Sequence, residues 1–215
     1  MAFDIDGTLY PNRSMYLRSA VHGLARPRFL MSFATVRRQI RTIYPIPDFE
    51  ELQTSLLADL MGISHEAARR RIDRWINHEL DNVYRHLKPF PHVKECIQEL
   101  RKAGYKLGVL SDFPVGRKLE YLGLDGYWDC VISSHDVGYL KPRAEPFEAM
   151  GDCLDVTAEH IVYIGNSYEY DIVGAANAGL KTAYLSRRDA HRGRADIVFS
   201  DYRELVPAIV EFVRS

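Results

Sequence analysis

The chain has 215 residues, 47% hydrophobic and 27% charged, an ordinary globular balance with enough apolar material to bury a core. A formal net charge of −1 gives no bias toward nucleic acid or a membrane surface. No apolar run approaches the roughly 18 residues of a membrane helix and no basic-then-apolar leader opens the chain; Cys96, Cys130 and Cys153 form no C-x-x-C pair, which argues against a zinc knuckle or a disulfide scaffold and for a reducing, cytoplasmic setting.

Residues 2–5 (AFDI) read as the end of a strand. Only Met1 to Phe3 precede Asp4, fewer than the about five to six residues of an average strand. Either the strand is short or the natural start lies upstream. From about Ser14 to Lys88 the texture is helical. Apolar residues recur at helical spacing through "SMYLRSAVHGLARPRFLMSFATVRRQIRTIY", with a break at Pro27. "DFEELQTSLLADLMG" has Asp48 as N-cap and Gly62 as its stop, and the next helix opens at Ser64, with Glu66 favouring its N-terminus. After Pro89 and Pro91 strands and helices alternate. "HVKECIQELRKAG" is a helix, "YKLGVLSD" a strand, "GRKLEYLGL" a short helix and "DCVISS" a strand. "PFEAMGDCLD" is a helix, "HIVYIGNS" a strand and "YDIVGAANAG" a helix. "KTAYLS" and "ADIVFS" are strands, and "YRELVPAIVEFVR" is a terminal helix. Such alternation implies an α/β fold, a Rossmann-like, mostly parallel sheet with helices on both faces. The core is expected from residues 1–13 and 89–215, with residues 14–88 an all-helical insert.

In open parallel sheets, ligands bind at the carboxyl ends of the strands. Asp4 and Asp6 stand at the first such end, Ser111 and Asp112 at the second, Ser133, Ser134 and Asp136 at the third with Lys141 beyond, and Gly165-Asn166-Ser167 at the fourth with Asp171 downstream. A fixed carboxylate at position 4 suits in-line attack on phosphorus, which splits one hard step into two. Asp6 shares its side of an extended segment and suits proton transfer to the leaving alcohol and from water. Gly7 permits a sharp turn, and backbone N–H groups there and at Thr8 suit a phosphate. Two carboxylates beside a phosphate need cations. Mg²⁺ fits through oxygen ligands, Lys141 adds a fixed positive charge, and Ser111 offers a hydroxyl.

These residues resemble the haloacid dehalogenase superfamily of aspartate-nucleophile phosphohydrolases. The resemblance covers the core from end to end: D-x-D-G-T at Asp4–Thr8, the strand-end Ser111 in "VLSD", Lys141-Pro142, and "GNSYEYD" at residues 165–171. Residues 14–88 fall where that family carries a helical cap. The resemblance implies Asp4 as nucleophile and Mg²⁺ ligand, and Asp6 as general acid/base with its carbonyl on the metal. It implies Ser111 and Lys141 on the phosphoryl group, and Asn166 and Asp171 completing the metal shell. Two positions depart from the pattern. Asn166 replaces the usual acid, and Asp112, counted here with the phosphate-binding residues Gly7, Thr8, Ser111 and Lys141, stands where Asn is common and bears on pKa values and substrate choice.

The expected activity is Mg²⁺-dependent hydrolysis of a small phosphorylated metabolite, through an aspartyl-phosphate, under a cap that excludes water. A 2-haloacid dehalogenase, a phosphomutase of the same superfamily and a weakly active phosphate-binding protein remain as alternatives. Neither nucleic acid nor a membrane is an expected partner, and the sequence leaves the oligomeric state unknown. Residues 11–47 hold seven arginines (Arg13, Arg18, Arg26, Arg28, Arg37, Arg38, Arg41) and no Asp or Glu. A solvated helix face paired with "DFEE" or the core is the simpler reading, and recognition of an anionic substrate is the other. Tyr10, Phe113 and Tyr139 either line the pocket mouth or pack.

Overall fold

A computed structural model describes residues 1–23, 26–186 and 193–214; the part of the helical reading that crosses residues 24 and 25 lies outside them. Six short strands form one parallel sheet: β1 (Ala2–Phe3), β2 (Gly108–Ser111), β3 (Cys130–Ser133), β4 (Val162–Gly165), β5 (Lys181–Leu185) and β6 (Ile197–Phe199). Their spatial order is β3-β2-β1-β4-β5-β6. The chain reverses direction across the sheet at β1, the switch point where such folds place their ligands. Ala2 and Phe3 pair with Gly108 and Val109 on one side and with Tyr163 and Ile164 on the other. β1 is as short as its sequence suggests, yet it is central and its residues are fully buried.

Alternation along the strands sorts the side chains to two faces. Phe3, Val109 and Ile164 face a cluster that includes Ile97 and Leu100 of helix α6 (Val93–Lys102) and Leu205 and Ile209 of α11 (Tyr202–Arg214). Ala2, Leu110 and Tyr163 face the other way, onto Phe147, Met150 and Leu154 of α9 (Glu145–Leu154) and Ala175 of α10 (Gly174–Asn177). Shorter helices α7 (Lys118–Tyr121) and α8 (Ser134–Val137) follow β2 and β3.

Between β1 and α6 the described residues contain helices and no strand. They are α1 (Asn12–Gly23), α2 (Pro27–Ile40), α3 (Phe49–Met61), α4 (His65–Arg74) and α5 (Leu80–Tyr84), the last two joined by a π-helical stretch, Trp75–Glu79. The local signals act where expected. Asp48 accepts from Glu51 N at 2.9 Å, Gly62 closes α3 at φ +63°, and Ser64 accepts from Ala67 N. Ser133, Ser134 and Asp136 open α8, with Ser133 accepting from Asp136 N. "RRRIDRW" leaves Arg69, Arg70, Arg71 and Arg74 exposed.

The cysteines correct the sequence reading. Cys130 on β3 and Cys153 on α9, with Cα atoms 5.9 Å apart, form a disulfide, and Cys96 is free and buried. The absence of C-x-x-C excludes neighbours in sequence, not segments that the fold packs together, so cysteine usage no longer points to a reducing compartment. No helix among the described residues is long and apolar enough to cross a membrane.

Candidate active site

Asp4 leaves β1 with its backbone N–H donating to Ile164 O at 2.9 Å. The chain then turns at once: Thr8 N and Leu9 N both donate to Ile5 O, at 3.1 and 2.9 Å. Gly7 sits at φ +98°, and a Cβ there would lie 2.3 Å from Asn12 Nδ2 and 2.5 Å from Asn166 Nδ2. Both the dihedral and the space demand glycine. The turn folds Thr8 back under Asp4, where its buried hydroxyl lies 2.8 Å from Asp4 Oδ2 and 3.1 Å from Asn166 Oδ1.

One group centres on Lys141. Its Nζ donates to Asp4 Oδ1 at 2.8 Å, Asp171 Oδ1 at 2.6 Å and Tyr163 Oη at 3.0 Å, and the lysine is 2% exposed. Asp171 spends its other oxygen on the backbone N–H groups of Asn166 and Ser167, at 3.1 and 2.9 Å. A second group centres on Asp6. It accepts from Tyr10 Oη, from Ser111 Oγ at 3.0 Å and from Lys118 Nζ at 3.0 and 3.2 Å. Lys118 also reaches Ser111 Oγ at 3.3 Å and is 1% exposed.

The two carboxylates therefore differ in character. Burial pushes Asp4 up to about 7; Lys141 opposes this, while Asp171 and Asp6 add to it. Burial acts upward on Asp6 as well, but Lys118, Tyr10 and Ser111 overcome it and hold Asp6 below the usual carboxylate range. Burial alone would lower Lys141, yet Asp171 and Asp4 raise it well above an ordinary lysine.

Of the residues singled out from sequence, Asp4, Thr8, Lys141, Asn166 and Asp171 come together in the first group, and Asp6 and Ser111 in the second. Gly7 packs against Asn166. Asp112 turns away from both. Its Oδ1 accepts from Lys141 N at 3.2 Å, while Oδ2 pairs with Arg41 and its carbonyl accepts from Arg37 at 2.6 Å. Tyr10 is fully buried on Asp6, Tyr139 accepts from Ile46 N, and Phe113 lies beneath Arg37.

Lys118 was not legible as a site residue. A signal for it exists: Lys118 shares its face of a helical turn with Leu122, four residues on, so a lysine stands on the buried side of an amphipathic segment.

The acceptors also test whether a cation fits. Asp4 Oδ2 and Asn166 Oδ1 both converge on Thr8 Oγ1, which has one proton for two acceptors. That leaves an oxygen-rich spot short of positive charge, the donor chemistry of a hard divalent ion. Asp171 already accepts from Lys141 and from two backbone N–H groups. Among the described residues no group of three or more His, Cys, Asp or Glu side chains could hold a metal, so such a site would draw on Asn166 and backbone carbonyls beside Asp4. An open cleft of about 610 Å³ is lined in part by Gly7, Asn12 and Asn166.

Residues 1–185 match the family model for haloacid dehalogenase-like hydrolases. Pyrophosphatase PpaX from Bacillus cereus (strain ATCC 10987 / NRS 248) is 28% identical, over 99% of this chain and 97% of its own length. A phosphatase of the same superfamily from Thermococcus onnurineus superposes with a TM-score of 0.64 at 24% identity, covering 97% of this chain and 96% of that one. The L-2-haloacid dehalogenase from Xanthobacter autotrophicus superposes with a TM-score of 0.69 at 18% identity, covering 98% and 97%. At such identities these two structures speak for the fold alone. A match over most of the chain, together with the Asp4, Ser111, Lys141 and Asp171 positions at the ends of a parallel sheet, places this chain in the haloacid dehalogenase-like hydrolase family.

Proposed function

We infer that the protein is a Mg²⁺-dependent phosphohydrolase acting on a small phosphorylated compound. The observation that carries this reading is the pair of carboxylates after β1. One is bound to Lys141 and an acceptor-rich cation spot, the other to Ser111 and Lys118. A phosphatase needs a nucleophile beside positive charge and a separate proton carrier, and these positions supply both. The PpaX relatives bear a pyrophosphatase name over nearly the whole chain, which points the same way.

In this reading Asp4 attacks phosphorus, forming its carboxylate O–P bond as the P–O bond to the leaving group breaks. As substrate binds, Asp6 takes up a proton from solvent, and it gives that proton to the leaving oxygen. It then takes one from the water that attacks the aspartyl-phosphate, releasing phosphate and restoring Asp4. Asp6 starts out ionised, held by its three donors. An entering phosphoryl dianion competes for the Ser111 hydroxyl and repels the carboxylate, and both effects raise its proton affinity. Ser111, Lys141 and the backbone N–H groups of Gly7 and Thr8 hold the phosphoryl oxygens. Asp4, the Asp6 carbonyl and Asn166 would hold Mg²⁺, which neutralises phosphoryl charge when bound. Asp171 serves through Lys141 and through the loop at Asn166. Residues 14–88 act as a cap on a core of residues 1–13 and 89–215. Arg37 and Arg41 of that segment meet Asp112, and Phe33 stacks on Phe113 at 6.4 Å.

Phosphate release from a panel of phosphorylated metabolites, with Mg²⁺ and with EDTA, tests this. Metal-dependent release that Asp4→Asn abolishes is expected, and wild-type turnover by Asp4→Asn overturns the nucleophile. A 2-haloacid dehalogenase reading draws on one observation: Asn166 is neutral where the resemblance expects an acid. Chloride release from 2-chloropropionate without phosphate release would favour it.

A further inference from the structure

Charge on helix α4 is divided between two sides. Arg69 and Arg70 turn toward acids of the insert: Arg70 pairs with Glu66, and Arg69 lies 3.7 Å from Glu50. Arg71 and Arg74 share the other face, as residues three apart do, and border a hollow of about 420 Å³. The start of α2, the end of α3 and the end of α4 enclose it. Arg26 and Arg28 complete its rim, over Phe29, Met61 and Ile63, and among the described residues no Asp or Glu lines it. The hollow lies away from the catalytic site. From Arg28 to Arg37 is about 13 Å along α2, at about 1.5 Å per residue. Arg37, near the far end of that helix, is the residue that meets the Asp112 carbonyl.

The guanidiniums are gathered rather than splayed. Arg28 donates to Met61 O at 3.0 Å and Arg71 lies 3.9 Å from Met61 Sδ, so heads from two helices sit over one floor residue. Arg26 pairs with Glu79 at 2.7 Å, while Arg28, Arg71 and Arg74 form no ion pair among the described residues. Four cations thus share one carboxylate, which lies outside the lining. The fourteen-residue α2 begins here, with Pro27 and no acid in its first turn, and its dipole adds to the same positive field. Phe29 and Met61 are buried, and an apolar floor strengthens any charge pair made above it. Simple solvation would treat both sides of α4 alike. Here acids meet the arginines of one side and not those of the other.

We propose that this hollow is a binding site, separate from the catalytic one, for a compound carrying two or more linked phosphoryl groups. A guanidinium fork binds phosphoryl oxygens in two bonds, and several forks around one hollow suit a chain of phosphates better than a single one. The volume falls in the range of small-molecule sites, about 300–1,000 Å³. The site stands whether or not Asp4 is a nucleophile.

The test is a titration of the whole protein with tripolyphosphate, ATP and inorganic phosphate at fixed ionic strength. EDTA is present to withhold the cation that a complex at Asp4 would use. Trp75 reports on the hollow: it follows Arg74, is buried, and its ring lies 6.2 Å from that of Phe29, whereas the other tryptophan, Trp128, packs on Phe3 in the core. Tripolyphosphate is expected to change Trp75 fluorescence saturably, with a Kd below about 1 mM by fluorescence and calorimetry alike, and to bind at least about tenfold tighter than phosphate. Arg71→Gln with Arg74→Gln is expected to weaken it at least about tenfold. Both side chains are exposed, so the fold should hold, and thermal melts check that it does. Arg69→Gln with Arg70→Gln removes the same charge from the other side of α4 and is expected to leave Kd within about twofold, as is Asp4→Asn. ATP binding as tightly as tripolyphosphate assigns the site to nucleoside polyphosphates, and ATP binding tenfold more weakly assigns it to inorganic ones. No saturable binding, a tripolyphosphate-to-phosphate ratio near one, equal losses in the two arginine pairs, or a loss in Asp4→Asn alone overturns the site. Phosphate release that depends on Asp4 would leave the phosphohydrolase reading standing in each of those cases.

Discussion

Lys118→Met removes the only positive charge bound to Asp6 among the described residues and keeps most of the buried volume, because methionine is flexible and fills irregular space. Asp6 then stays largely shielded from solvent, its side chain 14% exposed, with Tyr10 and Ser111 as its remaining donors. Breaking one partner of a buried ion pair costs about 3–5 kcal/mol. For a chain of this size that lowers Tm by roughly 6–20 °C, at about 2–4 °C per kcal/mol. The pH dependence carries more information than the loss itself. In the wild type Asp6 titrates below its unfolded value of about 3.9, so the pair's contribution is present above that pH and disappears only on acidification below it. Without Lys118, burial dominates and lifts Asp6 above about 3.9. The native variant then holds a proton that the unfolded chain has lost, and its stability falls as pH rises between the two values. The deficit relative to wild type should be small near pH 4 and widen toward pH 7. Urea denaturation of both proteins across that range measures it. Adding Asp6→Asn should return part of the stability, since the uncompensated charge is gone. Phosphate release by Lys118→Met should fall at least tenfold, as general acid/base catalysis is weakened. A deficit independent of pH, or no rescue by Asp6→Asn, would refute an electrostatic role for Lys118.

Gly7→Ala forces a Cβ to φ +98° and into Asn12 and Asn166, and should lower both Tm and phosphate release, measured by thermal melts and a phosphate assay. Asn166→Asp replaces a neutral carbonyl with a carboxylate beside Asp4 and should tighten the Mg²⁺ activation constant; an unchanged constant would put position 166 outside the cation's reach. Thr8→Val removes the hydroxyl shared by Asp4 and Asn166 and should cost about 1–3 kcal/mol in urea melts. Cys153→Ser opens a disulfide whose cysteines are 23 residues apart, and should cost about 3 kcal/mol under oxidising conditions and almost nothing against wild type in dithiothreitol.

The order of strands and helices was readable because it rests on local signals: turn glycines, caps and apolar runs. The clustering of Asp4, Asp6, Ser111 and Lys141 was readable because each follows the end of a strand, and a parallel sheet gathers those ends in one place. What escaped was decided by tertiary packing. The Cys130–Cys153 bridge depends on α9 lying against β3, which no spacing rule contains. Lys118 and Arg117 are neighbours in sequence, yet one is buried on Asp6 and the other is exposed on Glu120. Arg37 and Arg38 divide in the same way, one inward and one to solvent. In each pair composition is silent and helical phase decides.

The same division bears on how the site is balanced. Asp4, Asp6, Asp112 and Asp171 all lie at strand ends or just past them, and each is met by a cation from another part of the chain. Lys141 serves Asp4 and Asp171, Lys118 serves Asp6, and Arg41 serves Asp112. Only the first of these cations lay in a sequence motif. A carboxylate cluster at the end of a sheet repels itself and remains folded only if positive charge is delivered to it. Here the helix after β2 and the helical insert deliver it. The acids of such a site can thus be read as a motif, whereas their counter-ions are set by whichever helices pack over the sheet. That is why the lysine on Asp6 and the arginine on Asp112 emerge only from the folded chain.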